Sequence, residues 1–172
     1  MNSSNSNPNA LTAPLKGWVL VHYVIATWFG CGFAPFAPGT FGSLGAIPLV
    51  LALGWFGSTP LAVVVLLLLC VVGARSAHVV AQHRHDDDPG LVVIDEVAGV
   101  LVAWLFVASG PWWIQGLAWL LFRLFDITKP GPIATLEHTR PIGVGIMLDD
   151  LLAGLLAGAL ALAVHLGVRI LY

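Results

Sequence analysis

The chain has 172 residues, of which 58% are hydrophobic and only 9% charged, with a formal net charge of -2 and a mean hydropathy of +0.91. A soluble domain of this size cannot cover its surface with so few charges, so the composition excludes an ordinary water-soluble protein and points to an integral membrane protein. A pI near 6.3 and the lack of any RNA- or DNA-binding signature exclude nucleic acid as a partner.

Residues 1–14 are polar and lack the basic start of a signal peptide; they read as a disordered tail, leaving 15–172 as a single membrane-embedded domain. No Asp, Glu, Lys or Arg occurs between Lys16 and Arg75, nor from Val97 to Phe122. Residues 17–29 form a short apolar helix candidate of about 20 Å, below the ~30 Å hydrocarbon core. Residues 30–43 carry repeated glycines together with Pro35 and Pro38, which predicts an irregular loop, tolerated at a membrane only if it is covered by protein or lines a wet cavity. Helical character resumes over 43–56, and Gly57-Ser58-Thr59-Pro60 is a turn into the clearest span, residues 61–82. The segment 83–90, His-Arg-His-Asp-Asp-Asp-Pro-Gly, reads as a solvated connector.

Apolar segments 91–107 and 112–125 are separated by Ala108-Ser109-Gly110-Pro111, a turn that returns Asp95 and Asp126 to the same side. The final span, 148–171, opens on Asp149-Asp150 and carries the small residues Ala153, Gly154, Ala157, Gly158 and Ala161, a series that lets helices approach closely. The expected fold is therefore an all-α membrane bundle of about five to six apolar helices with irregular glycine-rich loops at one face. Counting the alternations puts loops 30–42, 83–94 and 126–149 on that face. It also holds Arg84, Lys129 and Arg140 against Arg169 on the other, which makes it cytoplasmic by the positive-inside rule.

The chemistry concentrates where the charges do. Asp95-Glu96 and Asp149-Asp150 are two acidic pairs, each expected to open an apolar helix. One acid per helix would satisfy capping and the helix dipole; two adjacent carboxylates on each of two helices, brought to one face, repel unless a cation lies between them. Oxygen-rich sites of this kind suit Mg²⁺. Arg123, Asp126 and Lys129 are spaced so that the first two share a helical face before Lys129-Pro130 ends the helix; they read either as a structural ion pair or as ligands for phosphate oxygens. Pro38-Gly39-Thr40-Phe41-Gly42-Ser43 reads equally as an anion-binding glycine loop and as a tight turn with Ser43 as N-cap, and Gly143-Val144-Gly145 invites the same two readings. His83, His85 and Asp86 to Asp88 are read as part of the solvated connector rather than as a chelating group, and Glu137 and Arg140 as loop charges. Cys31 and Cys70 read as small buried hydrophobes, and His22, His78, His138 and His165 are given no role.

Four ordered motifs resemble the phosphatidylglycerophosphatase A family. They are the Ala-Pro-Gly-Thr-Phe-Gly-Ser stretch ending at Ser43, Val-Ile-Asp95-Glu96-Val-Ala-Gly, Phe122-Arg123-Leu-Phe-Asp126-Ile-Thr-Lys129-Pro130, and Gly145-Ile-Met-Leu-Asp149-Asp150-Leu-Leu-Ala-Gly154. The resemblance covers roughly residues 28–160. It implies a multi-pass protein of the bacterial inner membrane that takes a phosphorylated glycerophospholipid, removing the terminal phosphate of phosphatidylglycerophosphate to give phosphatidylglycerol with Mg²⁺ as cofactor. Carried onto matching positions, Asp95, Glu96, Asp149 and Asp150 become the acidic metal-site residues. Arg123, Asp126 and Lys129 match the helix-end motif as catalytic and phosphate-binding groups, and Gly39, Thr40 and Ser43 match the glycine stretch as substrate-binding groups. The resemblance does not give the attacking group; the residues themselves suit in-line attack by a water activated at the acidic site, with an aspartyl-phosphate as the rival. The chain has no Asp-x-Asp-x-Thr motif and no Cys-x5-Arg loop, which favours water. Two other classes stand against this reading: a small ion transporter or channel, and a non-catalytic lipid- or Mg²⁺-binding subunit associating as a homo-oligomer through the Gly154/Gly158 face.

Overall fold

The computed structural model describes residues 17–131 and 139–171. The expected tail 1–14 and the loop charge Glu137 lie outside these residues. Among the described residues the fold is all-helical, as the apolar runs require. The helices are α1 (Gly17–Ala26), α2 (Pro38–Gly45), α3 (Ile47–Phe56), α4 (Thr59–Arg84), α5 (Ile94–Leu105), α6 (Trp112–Thr128) and α7 (Ile142–Leu171), with one 3₁₀ turn at Cys31–Phe33.

Each boundary has a local cause. Thr27 closes α1 by donating its hydroxyl to the Tyr23 carbonyl at 2.8 Å and accepting from the Gly30 N–H at 3.1 Å. Gly57, at φ 60, ends α3, and the Ser58 hydroxyl caps α4 by accepting from Leu61 N–H. Lys129, at φ 41, ends α6 immediately before Pro130, where the Lys-Pro pair predicts the stop. Pro111 precedes α6, so the expected turn at 109–111 is present.

Two expectations are corrected. The glycine-rich stretch 38–43 is not an irregular loop: it forms most of α2, with Pro38 in the first turn and only Ala46 interrupting the run from Pro38 to Phe56. Its glycines are where neighbours press against the helix, since a Cβ at Gly42 would sit 3.0 Å from Val93 Cγ2 and one at Gly45 3.0 Å from Cys31 Sγ. Likewise Gly143-Val144-Gly145 is not a loop before Asp149. It is the first turn of α7, and Gly143 lies against the Ala74 carbonyl and His78, where a side chain would not fit. Asp149 and Asp150 therefore sit about two turns inside α7 rather than at its start.

Three helices, Pro38–Phe56, Thr59–Arg84 and Ile142–Leu171, are long and apolar enough to cross a membrane. Large apolar side chains stand exposed on them, with Trp55 at 89% and Val71 at 72%, as expected of a lipid-facing surface. The run 91–107 is not a full span: α5 has only 12 residues, about 18 Å, and nine of them are buried. It is the central post of the bundle, packed chiefly against α7 and also against α4 and α6. Close approach to α7 depends on small residues. Ala153, Ala157 and Ala161 are fully buried, a Cβ at Gly154 would strike the Gly99 carbonyl, and one at Gly158 would lie 3.0 Å from the Ala103 carbonyl. The Gly154/Gly158 face is thus occupied by α5 of the same chain, and the association of copies expected through it is corrected.

Candidate active site

The polar residues meet at one end of this post. Val93 N–H donates to the Ala26 carbonyl at 2.8 Å, tying the entry of α5 to the end of α1, and the next turn presents Asp95 and Glu96. The C-terminal turn of α6 brings Asp126 and Lys129, and the second turn of α7 brings Asp149 and Asp150. These six side chains line one cavity of about 130 Å³ together with Asp88 from the connector. Asp95 and Asp126 share this cavity, so the 109–111 turn does return them to the same side.

Six carboxylates around so small a volume face two cations. The Lys129 ammonium donates to Asp149 Oδ2 at 2.8 Å. Arg123, one turn up α6, is ion-paired with Asp126, and its Nη2 donates weakly to the Thr40 hydroxyl at 3.4 Å. Glu96 has the Arg123 guanidinium nearby, while Asp95 and Asp150 have no ion pair with either base among the described residues. One carboxylate oxygen from each of these three acids lies within 4.8 Å of the others, and Asp95 Oδ1, Glu96 Oε2 and Asp150 Oδ2 are buried with no hydrogen-bond partner among the described residues. Three carboxylate oxygens this close repel strongly when ionised; converging hard oxygens at this spacing fit a divalent cation of Mg²⁺ type, whose octahedral ligand oxygens lie up to about 4 Å apart. The donor set thus fits the expected metal, with a division the sequence did not give: three acids form the trio, while Asp149 is held by Lys129.

The helix-end motif falls as the spacing predicts, Arg123 and Asp126 on one face and Lys129 at the cap. The glycine stretch divides. Gly39 is at the site, since a Cβ there would collide with Glu96 Oε1 and lie 3.3 Å from Arg123 Nη1. Thr40 is at the site through Arg123. Ser43 is not: it is fully buried within α2, its hydroxyl donates to the Thr40 carbonyl at 3.0 Å, and it presents no surface to a headgroup. It is also not an N-cap, because α2 begins five residues earlier.

Asp88 was missed in the sequence, where it was grouped with the solvated connector. Its neighbour Asp87 fits that reading, exposed and paired with Arg140 at 2.9 Å. Asp88 is also exposed but lies at the edge of the cavity and contributes to its lining. The signal lay in Pro89-Gly90, which bends the chain back toward Val92 and Asp95 and brings Asp88 to the rim of the cavity; Pro89 is among the most deeply buried side chains.

A family model described as Phosphatidylglycerophosphatase A matches residues 24–165. Phosphatidylglycerophosphatase A of Escherichia coli (strain K12) is 33% identical over 132 residues, covering 77% of this chain and 76% of that protein. Phosphatidylglycerophosphatase A of Haemophilus influenzae is 37% identical over 147 residues, covering 81% and 87%. A Bacteroides thetaiotaomicron protein named putative phosphatidylinositol-3-phosphatase is 38% identical over 139 residues, covering 76% and 85%. No solved structure matches. The family model spans well over half of the sequence and takes in every residue of the acidic cavity: the chain belongs to the phosphatidylglycerophosphatase A family.

Proposed function

We propose that this protein removes the terminal phosphate of phosphatidylglycerophosphate in a Mg²⁺-dependent hydrolysis, acting at the cytoplasmic face of a bacterial inner membrane. The observation that carries the reading is the trio of buried, unpartnered carboxylate oxygens of Asp95, Glu96 and Asp150 in the same cavity as Lys129 and beside Arg123. Acids that need a cation, next to bases that suit a phosphate, fit a metal-assisted phosphatase. Family membership supports the same substrate, and the basic residues Arg84, Lys129 and Arg140 at the site end of the bundle support the cytoplasmic orientation.

Mg²⁺ bound by Asp95, Glu96 and Asp150 would supply a Lewis acid for the phosphate and for water. The other roles belong to the chain. Arg123, with a buried Nε that has no partner among the described residues, offers N–H donors to the phosphoryl oxygens and is steadied by Asp126 and Thr40. Lys129 adds a second positive charge, and its bond to Asp149 holds both side chains toward the cavity. Asp149, outside the trio, accepts the proton of the attacking water; as the new O–P bond forms, the bond from phosphorus to the glycerol oxygen breaks and the leaving oxygen takes up a proton.

The test is phosphate release by the detergent-purified protein from phosphatidylglycerophosphate, phosphatidic acid and phosphatidylinositol 3-phosphate, with and without Mg²⁺. The third lipid is included because of the name of the Bacteroides relative. Mg²⁺-dependent release from phosphatidylglycerophosphate that is lost in Asp150→Asn is expected. No release from that lipid by folded protein would overturn the reading, and faster release from the inositol lipid would replace the substrate while keeping the chemistry.

A further inference from the structure

A second, larger feature of opposite character lies one helical turn from the site, on helices that also build it. Three helices each contribute a residue to the Thr40, Glu96 and Arg123 cluster. One turn further into the bundle, on the same helical face, each contributes an apolar one: Leu44 on α2, Val100 on α5 and Trp119 on α6. These three begin an apolar groove of about 430 Å³, bounded farther down by Leu51 of α3, Trp104 of α5 and Trp112 of α6.

The wall of the groove is dry by construction. Trp104 Nε1 donates to Gln115 Oε1 at 3.0 Å, Gln115 Nε2 donates to the Gly110 carbonyl at 2.9 Å, and Trp119 Nε1 donates to the Ser43 carbonyl at 3.4 Å. The indole N–H groups of Trp104 and Trp119 and the Gln115 amide are thus bonded inside the protein, which leaves mostly hydrocarbon and aromatic surface facing the groove, with Trp112 at its open end. Its length also has a meaning. Along α6 the groove runs from Trp119 to Trp112, seven residues or about 10 Å; with the further turn to Arg123 the distance is about 16 Å, against about 15 Å for one leaflet of a ~30 Å hydrocarbon core. The outer side is open: Leu51 is 66% and Trp112 84% exposed, so a chain can enter sideways from the bilayer.

We propose that this groove holds one acyl chain of the substrate lipid and fixes the lipid so that its terminal phosphate reaches Arg123. The inference rests on the phosphatase reading above and adds to it the means by which a membrane-bound substrate is gripped. Adjacency to the site, one turn away on each of three helices, is what selects the occupant. A lipid chain in this groove has its polar end beside Thr40 and Arg123, whereas a bulk phospholipid seated there would block the site.

Gly116 gives the test. It faces open space, with nothing within 4 Å of a Cβ, so a side chain added there displaces no part of the fold and projects into the groove. In mixed micelles, kcat/KM is measured for long-chain phosphatidylglycerophosphate and for its deacylated, water-soluble headgroup. In Gly116→Phe the ratio of the two is expected to fall at least tenfold, mainly through KM for the long-chain lipid. Leu51→Trp, which narrows the groove from α3, is expected to shift the ratio in the same direction. As a binding readout, a phosphatidylglycerophosphate with a diazirine in its chain should label α3 and α6 peptides of the wild-type protein. Unlabelled phosphatidylglycerophosphate should compete with the labelling, and phosphatidylcholine should not. An unchanged ratio in both variants, or labelling displaced equally by phosphatidylcholine, overturns the proposal and makes the groove a site for bulk lipid only. A wild-type protein that hydrolyses neither substrate is a different failure: it removes the phosphatase reading, and the acyl groove with it.

Discussion

Replacing Gly99 by alanine asks whether the geometry of the acids, rather than their presence, sets the rate. A Cβ at Gly99 would collide with Phe122 Cε2 and lie 2.8 Å from the Asp150 carbonyl oxygen, where ordinary contact begins at 3.4 Å. The Phe122 ring is fully buried and the Asp150 carbonyl is backbone, so neither swings aside freely: α6 must give by about 1 Å and α5 and α7 must part by about 0.6 Å. Two energies oppose each other in stability: alanine gains about 1 kcal/mol of helix propensity over glycine, and overpacking costs about 1–3 kcal/mol. The net loss is about 0–2 kcal/mol, so the protein stays folded. Activity is affected more, because Asp150 moves away from Asp95 and Glu96; a misplacement of about 1 Å costs about 10²-fold, and 0.6 Å correspondingly about tenfold. The assay is initial-rate phosphate release against Mg²⁺ concentration, alongside the unfolding midpoint in detergent. A rate down about tenfold, a higher Mg²⁺ concentration at half-maximal rate and a Tm within a few degrees of wild type are expected. Wild-type rate and an unchanged Mg²⁺ titration would refute the argument.

The acids should separate by assay: Asp150→Asn raises the Mg²⁺ needed for half-maximal activity by at least tenfold. Asp149→Asn instead lowers the rate at saturating Mg²⁺ and leaves the half-maximal concentration within about threefold; identical Mg²⁺ titrations for the two would contradict the division of roles. Arg123→Lys keeps the charge but loses the planar fork that reaches Asp126 and Thr40, and kcat/KM should fall about 10²-fold; a loss under threefold would show that charge alone suffices. Ser43→Ala removes a hydrogen bond internal to α2, so it should cost about 1 kcal/mol of stability and leave kcat and KM within twofold; a large rise in KM would return Ser43 to the substrate site.

Much of this architecture was readable where one residue type forces one outcome. Gly110-Pro111 compels a turn, Lys129-Pro130 compels a stop, and the acids at 95 and 96 fall in the first turn of α5 as read. What could not be read was structure imposed from a distance. The glycines of 38–43 argue locally against a helix at about 1 kcal/mol each. Val93, Glu96 and Trp28 pack so closely onto α2 that only glycine fits, and the contacts made there hold the helix. The same holds at Gly143, where α7 starts two turns earlier than its acids suggest. The grouping of Asp95 and Glu96 with Asp150 rather than Asp149 was also hidden, because adjacent residues on a helix point about 100° apart and only the position of Lys129 decides which one turns to the trio.

The shortness of α5 bears on how the protein is made. A helix of about 18 Å with nine of twelve residues turned inward has neither the length nor the outer surface to be held by lipid alone. During biosynthesis it must wait, with its hairpin partner α6, for a place between longer neighbours. Its principal neighbour, α7, follows it in the chain and leaves the ribosome later. Asp95 and Glu96 are therefore made before Asp150, and a nascent chain cannot assemble the acidic trio until α7 has been synthesised and has packed against α5.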